Sequence, residues 1–194
     1  MKVASLIIGA IAAIGIGSSA LAQQSRLVVG QSDKPALINP LQVPAGGRET
    51  RAIKRQIFDA LVVQGNSLQP QPQLAKSWEV KDGTVWTFHL RDDVTFHNGE
   101  PFDAEAAKFN LDMIIAPDSK SAWHSQLSSL IEKVEVIGPY TLQVTTFKPA
   151  PTLLVILAFQ EMVAPKYYME KGPEGFEAAP VGTGPFKFVS RDGS

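Results

Sequence analysis

The sequence contains no cysteine among its 194 residues. That excludes disulfide frameworks, thiolate zinc sites, iron–sulfur clusters and cysteine nucleophiles. It also excludes a lipid anchor, which needs a cysteine at the mature start. A charge of one sign is missing too: 18 Lys plus Arg stand against 19 Asp plus Glu, for a net charge of −1. The signs are scattered, so there is neither a basic field for nucleic acid nor an acidic tail. After the first segment there is no long apolar run; Thr152 to Phe159 is the longest, enough for one strand or two helical turns. Histidine is scarce, and the spacing of His89, His97 and His124 supplies no convergence toward a metal. No G-x-S-x-G elbow, H-E-x-x-H pair or Walker loop occurs. Gly182-Thr183-Gly184 lacks the further spacing and following helix of a phosphate cradle, and it reads as a tight turn feeding a strand. The sequence therefore predicts no enzyme, no resident cofactor and no metal centre.

What is present begins with an address. Lys2 is the only charge before Arg26, and Val3 to Ile16 is an apolar core. Ser18-Ser19-Ala20-Leu21-Ala22 closes it with small residues. This is the pattern of a secretory signal peptide over residues 1–22, cleaved after Ala22. A retained membrane helix is the alternative, but Gly9, Gly15 and Gly17 weaken it. Export without cysteine suggests a periplasm.

The remainder, at 44% apolar and 19% charged over the whole chain, is globular. Arg26 to Gln31 reads as a strand, and the Pro- and Gly-rich stretch Ser32 to Gly47 as a loop. Ala52, Ile53, Ile57, Ala60 and Leu61 recur at helical spacing within 49–61, with Arg51, Lys54, Arg55 and Asp59 between them. A loop follows around Pro70 and Pro72, then a helical turn at Leu74-Ala75-Lys76. Trp78, Val80 and Val85 to Leu90 alternate by twos about Lys81-Asp82-Gly83, which predicts a hairpin. Val94-Thr95-Phe96 would add a third strand before the Asn98-Gly99 turn. Asp103 is suited to cap a helix running to Ile115. Further helices are expected over 122–131 and 151–160, a second hairpin over 133–145, a loop over 172–180 and a last strand over 184–190. The mixed order predicts an α/β or α+β fold. A strand so late must pair with something earlier, and Leu27 to Gly30 is the natural partner, so the chain between would form an inserted lobe. The carboxylates Asp92, Asp93, Glu100, Asp103 and Glu105 read as turn and cap residues, and the aromatics Trp78, Trp86 and Phe88 as core.

Several segments resemble one family. They are Leu74-Ala75-Lys76-Ser77-Trp78-Glu79-Val80, Gly83-Thr84-Val85-Trp86-Thr87-Phe88-His89-Leu90-Arg91, and Val94-Thr95-Phe96-His97-Asn98-Gly99-Glu100-Pro101-Phe102-Asp103-Ala104-Glu105. Tyr140-Thr141-Leu142-Gln143-Val144 and Pro180-Val181-Gly182-Thr183-Gly184-Pro185-Phe186-Lys187-Phe188 complete the set. In order and spacing they are similar to the family 5 extracellular solute-binding proteins of bacterial ABC transporters. The resemblance implies a periplasmic binding protein of type II-like fold. Residues 26–47 and 180–194 would belong to the first-lobe sheet and 48–179 to the extra lobe. The second lobe would be missing, since members run to roughly five hundred residues. It implies a monomer without catalytic residues that takes a small peptide or related solute and passes it to an inner-membrane ABC permease. Hinge closure on the ligand would be the working principle. The loop 32–48 would face the cleft, with Asn39 and Arg48 as candidate ligand-binding residues. The 91–93 and 98–107 segments look like nickel-binding members. Ala158-Phe159-Gln160-Glu161-Met162 departs from the arginine-rich stretch those members carry, which puts nickel, or a metal chelate, in question. Two other readings are a truncated piece that binds nothing and an exported hydrolase; the latter lacks a nucleophile–base pair.

Overall fold

The structure is a computed structural model that describes residues 28–30, 37–42 and 47–191, apart from the Arg48 side chain. The chain divides into two units, residues 1–30 and 31–194. Of the first unit only Val28 to Gly30 are described, without regular secondary structure. The expected signal peptide lies outside the described residues, as do Arg26, Leu27 and Gln31 of the expected opening strand; its described half, Val28 to Gly30, is not a strand. All that follows concerns the second unit.

The centre is a four-stranded antiparallel sheet in the order β3-β4-β6-β5, from β3 (Ala75–Lys81), β4 (Val85–Leu90), β5 (Ile131–Gly138) and β6 (Thr141–Thr146). The alternation in β4 explains its place: Trp86, Phe88 and Leu90 are buried while His89 is exposed. Phe88 pairs with Leu142 and Trp86 with Val144 across β6, so the apolar side chains share one face. The β3–β4 turn uses positive φ at Asp82 (53°) and Gly83 (71°), and the Thr84 N–H donates to the Lys81 carbonyl at 3.1 Å. Two successive left-handed residues give the primed turn whose twist matches a hairpin.

Helix α2 (Ala104–Ile115) covers the apolar face beside β5 and β6. Asp103 caps it by accepting the Ala106 N–H at 2.8 Å, which satisfies a donor the helix leaves free. Around this core lie α1 (Arg48–Ile57), a small hairpin of β1 (Val62–Gln64) and β2 (Pro70–Pro72), α3 (His124–Ser128), α4 (Leu153–Leu157) and α5 (Pro165–Ala178). No described helix is long and apolar enough to cross a membrane.

The expected elements around the two main hairpins and α2 are present, and the differences have local causes. Leu74 to Lys76 is not a helical turn; Ala75 and Lys76 start β3, with Ala75 facing Leu90. Pro70 and Pro72 sit in a strand that pairs only with β1, a place proline tolerates. Val94 to Phe96 forms only an isolated bridge, Thr95 to Pro101. The loop expected over 172–180 is largely helix: α5 continues past Gly172, whose φ of 66° and ψ of 174° break the turn before Pro173.

The last expected strand, 184–190, is irregular. Its N–H groups are used elsewhere. Gly184 and Phe186 each donate at 2.9 Å, to the carbonyls of Ile57 and Gln56 at the end of α1. Those are carbonyls a helix end leaves without partners. Any Cβ at Gly182 or Gly184 would collide with the Ile57 backbone, so glycine permits this close approach. Phe186 and Val189 remain exposed.

Candidate ligand-binding site

Helix α1 buries an unusual stripe. Thr50, Lys54 and Ile57 are all buried, and their spacing puts them on one face. Arg51 is half-buried beside that stripe and Arg55 is exposed. The helix thus carries cations toward the interior.

They meet three other segments. Pro40 and Gln42 come from the loop 37–42, Ala122 and Trp123 from the lead into α3, and Phe159 and Glu161 from the exit of α4. Together with Arg51 and Lys54 these enclose a cavity of about 20 Å³, space for one water-sized group. Its wall is a layered stack. Trp123 and Phe159 lie parallel, with centroids 5.4 Å apart and planes within 3°. The Arg51 guanidinium lies over the Phe159 ring at 4.4 Å, an attractive cation–π placement. Glu161 also lines a second cavity of about 200 Å³, together with Arg55, Phe58, Ala60, Val63, Gln73 and Ala158.

Burial sets the electrostatics. It pushes the Lys54 ammonium below its ordinary pKa, opposed by the charges of Glu161 and Glu177. It pushes the Glu161 carboxyl above its ordinary value, opposed chiefly by Lys54. Both shifts come from loss of water around a charge. Glu161 is 8% exposed and Lys54 is 4% exposed, so each charge has little other solvation than its neighbours.

Single hydrogen-bonding side chains hold these segments in place. Asn110, fully buried in α2, accepts the Val163 N–H at 2.8 Å and donates to the Val163 carbonyl at 2.9 Å. That fixes the segment carrying Glu161. Glu177 of α5 accepts the N–H groups of Ile38 and Asn39 and pairs with Arg191 at 3.1 Å, which fixes the loop carrying Pro40 and Gln42. Asp59 accepts from Gln73 at 2.6 Å and from Thr183 at 2.9 Å, and its carbonyl accepts the Met162 N–H. The Asp59 carboxylate thus ties the stretch just past α1 to Gln73 and to the Gly182–Gly184 turn, while its backbone ties it to the residue after Glu161.

Of the residues singled out from sequence, Asn39 is fully buried. Its side chain accepts the Leu41 N–H at 3.0 Å and donates to the Pro173 carbonyl at 3.3 Å. It therefore shapes the loop whose next residue lines the cavity. Arg48 opens α1 one turn before Arg51, and its side chain is outside the described set. Arg51, Lys54, Trp123, Phe159 and Glu161 were missed. Cations between apolar residues of a helix normally mark its wet face, and only the fold buries Lys54. The histidines do not converge: Nε2 of His97 contacts the Gly184 carbonyl at 2.8 Å and Nδ1 of His124 the Ile114 carbonyl at 3.0 Å. Among the described residues no group of three or more His, Asp or Glu is placed to hold a metal ion.

Residues 69–194 match the family described as bacterial extracellular solute-binding proteins, family 5 Middle. The chain belongs to this family. Family 5 members named as similar include the nickel-binding periplasmic protein of Escherichia coli K12, 40% identical over 156 residues that cover 78% of this chain and 30% of that protein. The glutathione-binding protein GsiB of Salmonella paratyphi A is 31% identical over 186 residues, 91% of this chain and 35% of that one. The crystal structure of NikZ from Campylobacter jejuni in complex with Ni(L-His) superposes with a TM-score of 0.72 at 32% identity, over 82% of this chain and 32% of that one. The family 5 chain thus spans about a third of the length of these relatives. Their fold is that of periplasmic binding proteins, in agreement with the mixed α/β architecture. The family consists of solute-binding proteins rather than enzymes.

Proposed function

We propose that this chain is part of the periplasmic substrate-binding component of an ABC transporter, and that it supplies one wall of the cleft that captures a small peptide or related solute. The observation that carries the reading is the cavity between α1, the loop 37–42 and the 159–161 segment. It combines buried charge, an aromatic stack and rigid second-layer hydrogen bonds. Binding sites are concave, with a few fixed polar groups set among apolar walls. The relatives named above bind nickel or glutathione by their names, which supports a solute rather than a macromolecule. Residues 48–179 would form the extra lobe, and 26–47 with 180–194 would belong to the first-lobe sheet. Asn39 would act indirectly, by shaping the loop that carries Pro40 and Gln42, and Arg48 is kept as a candidate ligand-binding residue. Delivery would be to an inner-membrane permease after export.

The test is a titration of the purified chain with di- and tripeptides, followed by heteronuclear NMR. Saturable shifts confined to residues 37–42, 51–55, 121–123 and 158–161 are expected. Saturable shifts elsewhere, or none with any solute, would contradict the reading.

A further inference from the structure

We infer that residues 182–191 form a strap that sets the width of the cavity, with Arg191 as a positioning residue that acts through Glu177. What the strap does for solute binding rests on the reading above; what it does to the cavity rests on named hydrogen bonds.

One end of the strap is fastened to the wall that carries the cations. Gly184 and Phe186 donate at 2.9 Å to the carbonyls of Ile57 and Gln56, in the last turn of the helix that holds Arg51 and Lys54. Carbonyls at a helix end have no partner within the helix, so these bonds add to α1 rather than compete with it. The Thr183 hydroxyl donates to Asp59 at 2.9 Å. The turn at His97 holds the same residues: its backbone N–H donates to the Gly182 carbonyl at 2.9 Å, and its Nε2 contacts the Gly184 carbonyl at 2.8 Å.

The other end is fastened to the loop 37–42. Arg191 pairs with Glu177 at 3.1 Å, and Glu177 accepts the N–H groups of Ile38 and Asn39 at 2.9 and 2.7 Å. Those residues lead into Pro40 and Gln42, which line the cavity. The Glu177 side chain is only 13% exposed, so salt and water screen the pair less than one on the open surface. Without the arginine, the carboxylate keeps its two N–H donors but loses the cation that fixes it from the strap. Glu177 also supports the charge of the buried Lys54, so one carboxylate serves the loop, the strap and a cation of the cavity wall.

Both walls are thus tied to one short length of chain. A shift of the strap would move the end of α1 and the loop 37–42 together. A cavity with room for one water-sized group has no slack to absorb such a shift. The link is a series of bonded groups, each named, rather than mere proximity.

The experiment follows the ¹⁵N-labelled chain by hydrogen exchange and by the indole N–H signal of Trp123, whose side chain lines the cavity. No solute is added, so its outcome is separate from that of the titration above. Gly184→Ala acts at the α1 end, where a Cβ would stand 2.6 Å from the carbonyl carbon of Ile57 and force the strap away. It is expected to shift the Trp123 signal and to speed exchange at Ile38 and Asn39, at the other end of the strap, by at least about threefold. Arg191→Gln is expected to speed exchange at the same two amides by at least about threefold and to shift Trp123 less. Arg191→Lys keeps a cation for Glu177 and should restore both signals. Lys187 sits on the strap, exposed, and its side chain has no hydrogen bond or ion pair among the described residues; Lys187→Gln should leave Ile38, Asn39 and Trp123 unchanged. Thermal melts establish that each variant folds, and the exposed Arg191 decides alone if Gly184→Ala does not. Parental exchange at Ile38 and Asn39 in folded Gly184→Ala, or in Arg191→Gln, would overturn the inference and leave the strap a passive surface segment.

Discussion

The β3–β6 sheet with α2 and the cavity around Arg51 are built on opposite principles. The sheet unit has a mostly apolar interior: Trp86, Phe88, Leu90, Leu142 and Val144 are buried on one face of the sheet, and Asn110 of α2 and Thr146 of β6 are its buried polar residues. It is held by many interchangeable contacts, each small, that add up to a close-packed layer. The cavity unit buries Thr50, Lys54, Gln160 and Glu161. It is held by a few side chains: Asn110 and Glu177 satisfy specific backbone groups, and Asp59 accepts from the side chains of Gln73 and Thr183. The first arrangement tolerates change in kind and punishes change in volume. The second is sensitive to a single lost donor or acceptor. Stability therefore resides mostly in one region, and the chemistry for binding in the other.

Truncating the sheet core is the largest way to break that contrast. Phe88 is fully buried and lies between Trp78 of β3 and Leu142 of β6 in the register. Phe88→Ala is expected to cost about 3–5 kcal/mol in chemical denaturation, the usual range for an emptied aromatic site. A loss below about 1 kcal/mol would mean that the sheet is not the stabilising half.

The join between the two regions comes next. Asn110 belongs to α2, yet its side chain serves the Val163 backbone, two residues from Glu161. Asn110→Ala would strand a buried N–H and a buried carbonyl. About 2–3 kcal/mol of stability should disappear, since unsatisfied buried groups carry their desolvation cost. Solute affinity should fall as well, because the segment holding Glu161 loses its fixed point. A stability loss with unchanged affinity would show the cavity to be positioned without α2.

The contrast also explains what could be read in advance. β4 and β6 were legible because alternation by twos reports a half-buried sheet directly, and Asp103 was legible because a cap is a local event. The final stretch misled for a related reason. Phe186-Lys187-Phe188-Val189 alternates like a strand, but pairing is not a property of one segment, and the described chain spends the N–H groups of Gly184 and Phe186 on α1 instead. The cavity was the least legible part. Lys54 lies four residues from Thr50 and three from Ile57, a spacing readable in the sequence. That this face turns inward depends on the 158–161 segment a hundred residues later. Asn39 was singled out because loops near strand ends draw attention, and the structure shows it shaping its own loop; the aromatic stack was not singled out, because Trp123 and Phe159 are 36 positions apart in sequence and look like ordinary core residues.

The smallest effect is the one that most directly separates the two regions, because it depends on pH. Glu161 has a carboxyl whose pKa burial has raised. A raised folded pKa means that the folded state holds the proton more tightly than the unfolded state does. The group therefore favours the folded state at acid pH, and that contribution is lost as pH rises through the raised value. Glu161→Gln keeps the shape of the protonated acid and cannot ionise. At pH 5 the variant and the parent should melt within about a degree of each other. At pH 8 the variant should melt higher by a few degrees, since about 1 kcal/mol moves the Tm of a chain this size by about 2–4 °C. Lys54 opposes the effect, because removing Glu161 leaves a buried ammonium with less compensation. A variant that melts lower than the parent at pH 8 would show that attraction between Lys54 and Glu161 outweighs the desolvation of the carboxylate. The cavity would then be a stabilising ion pair like those on the surface of the sheet, and the division between a region that holds the fold and a region that bears its cost would not stand.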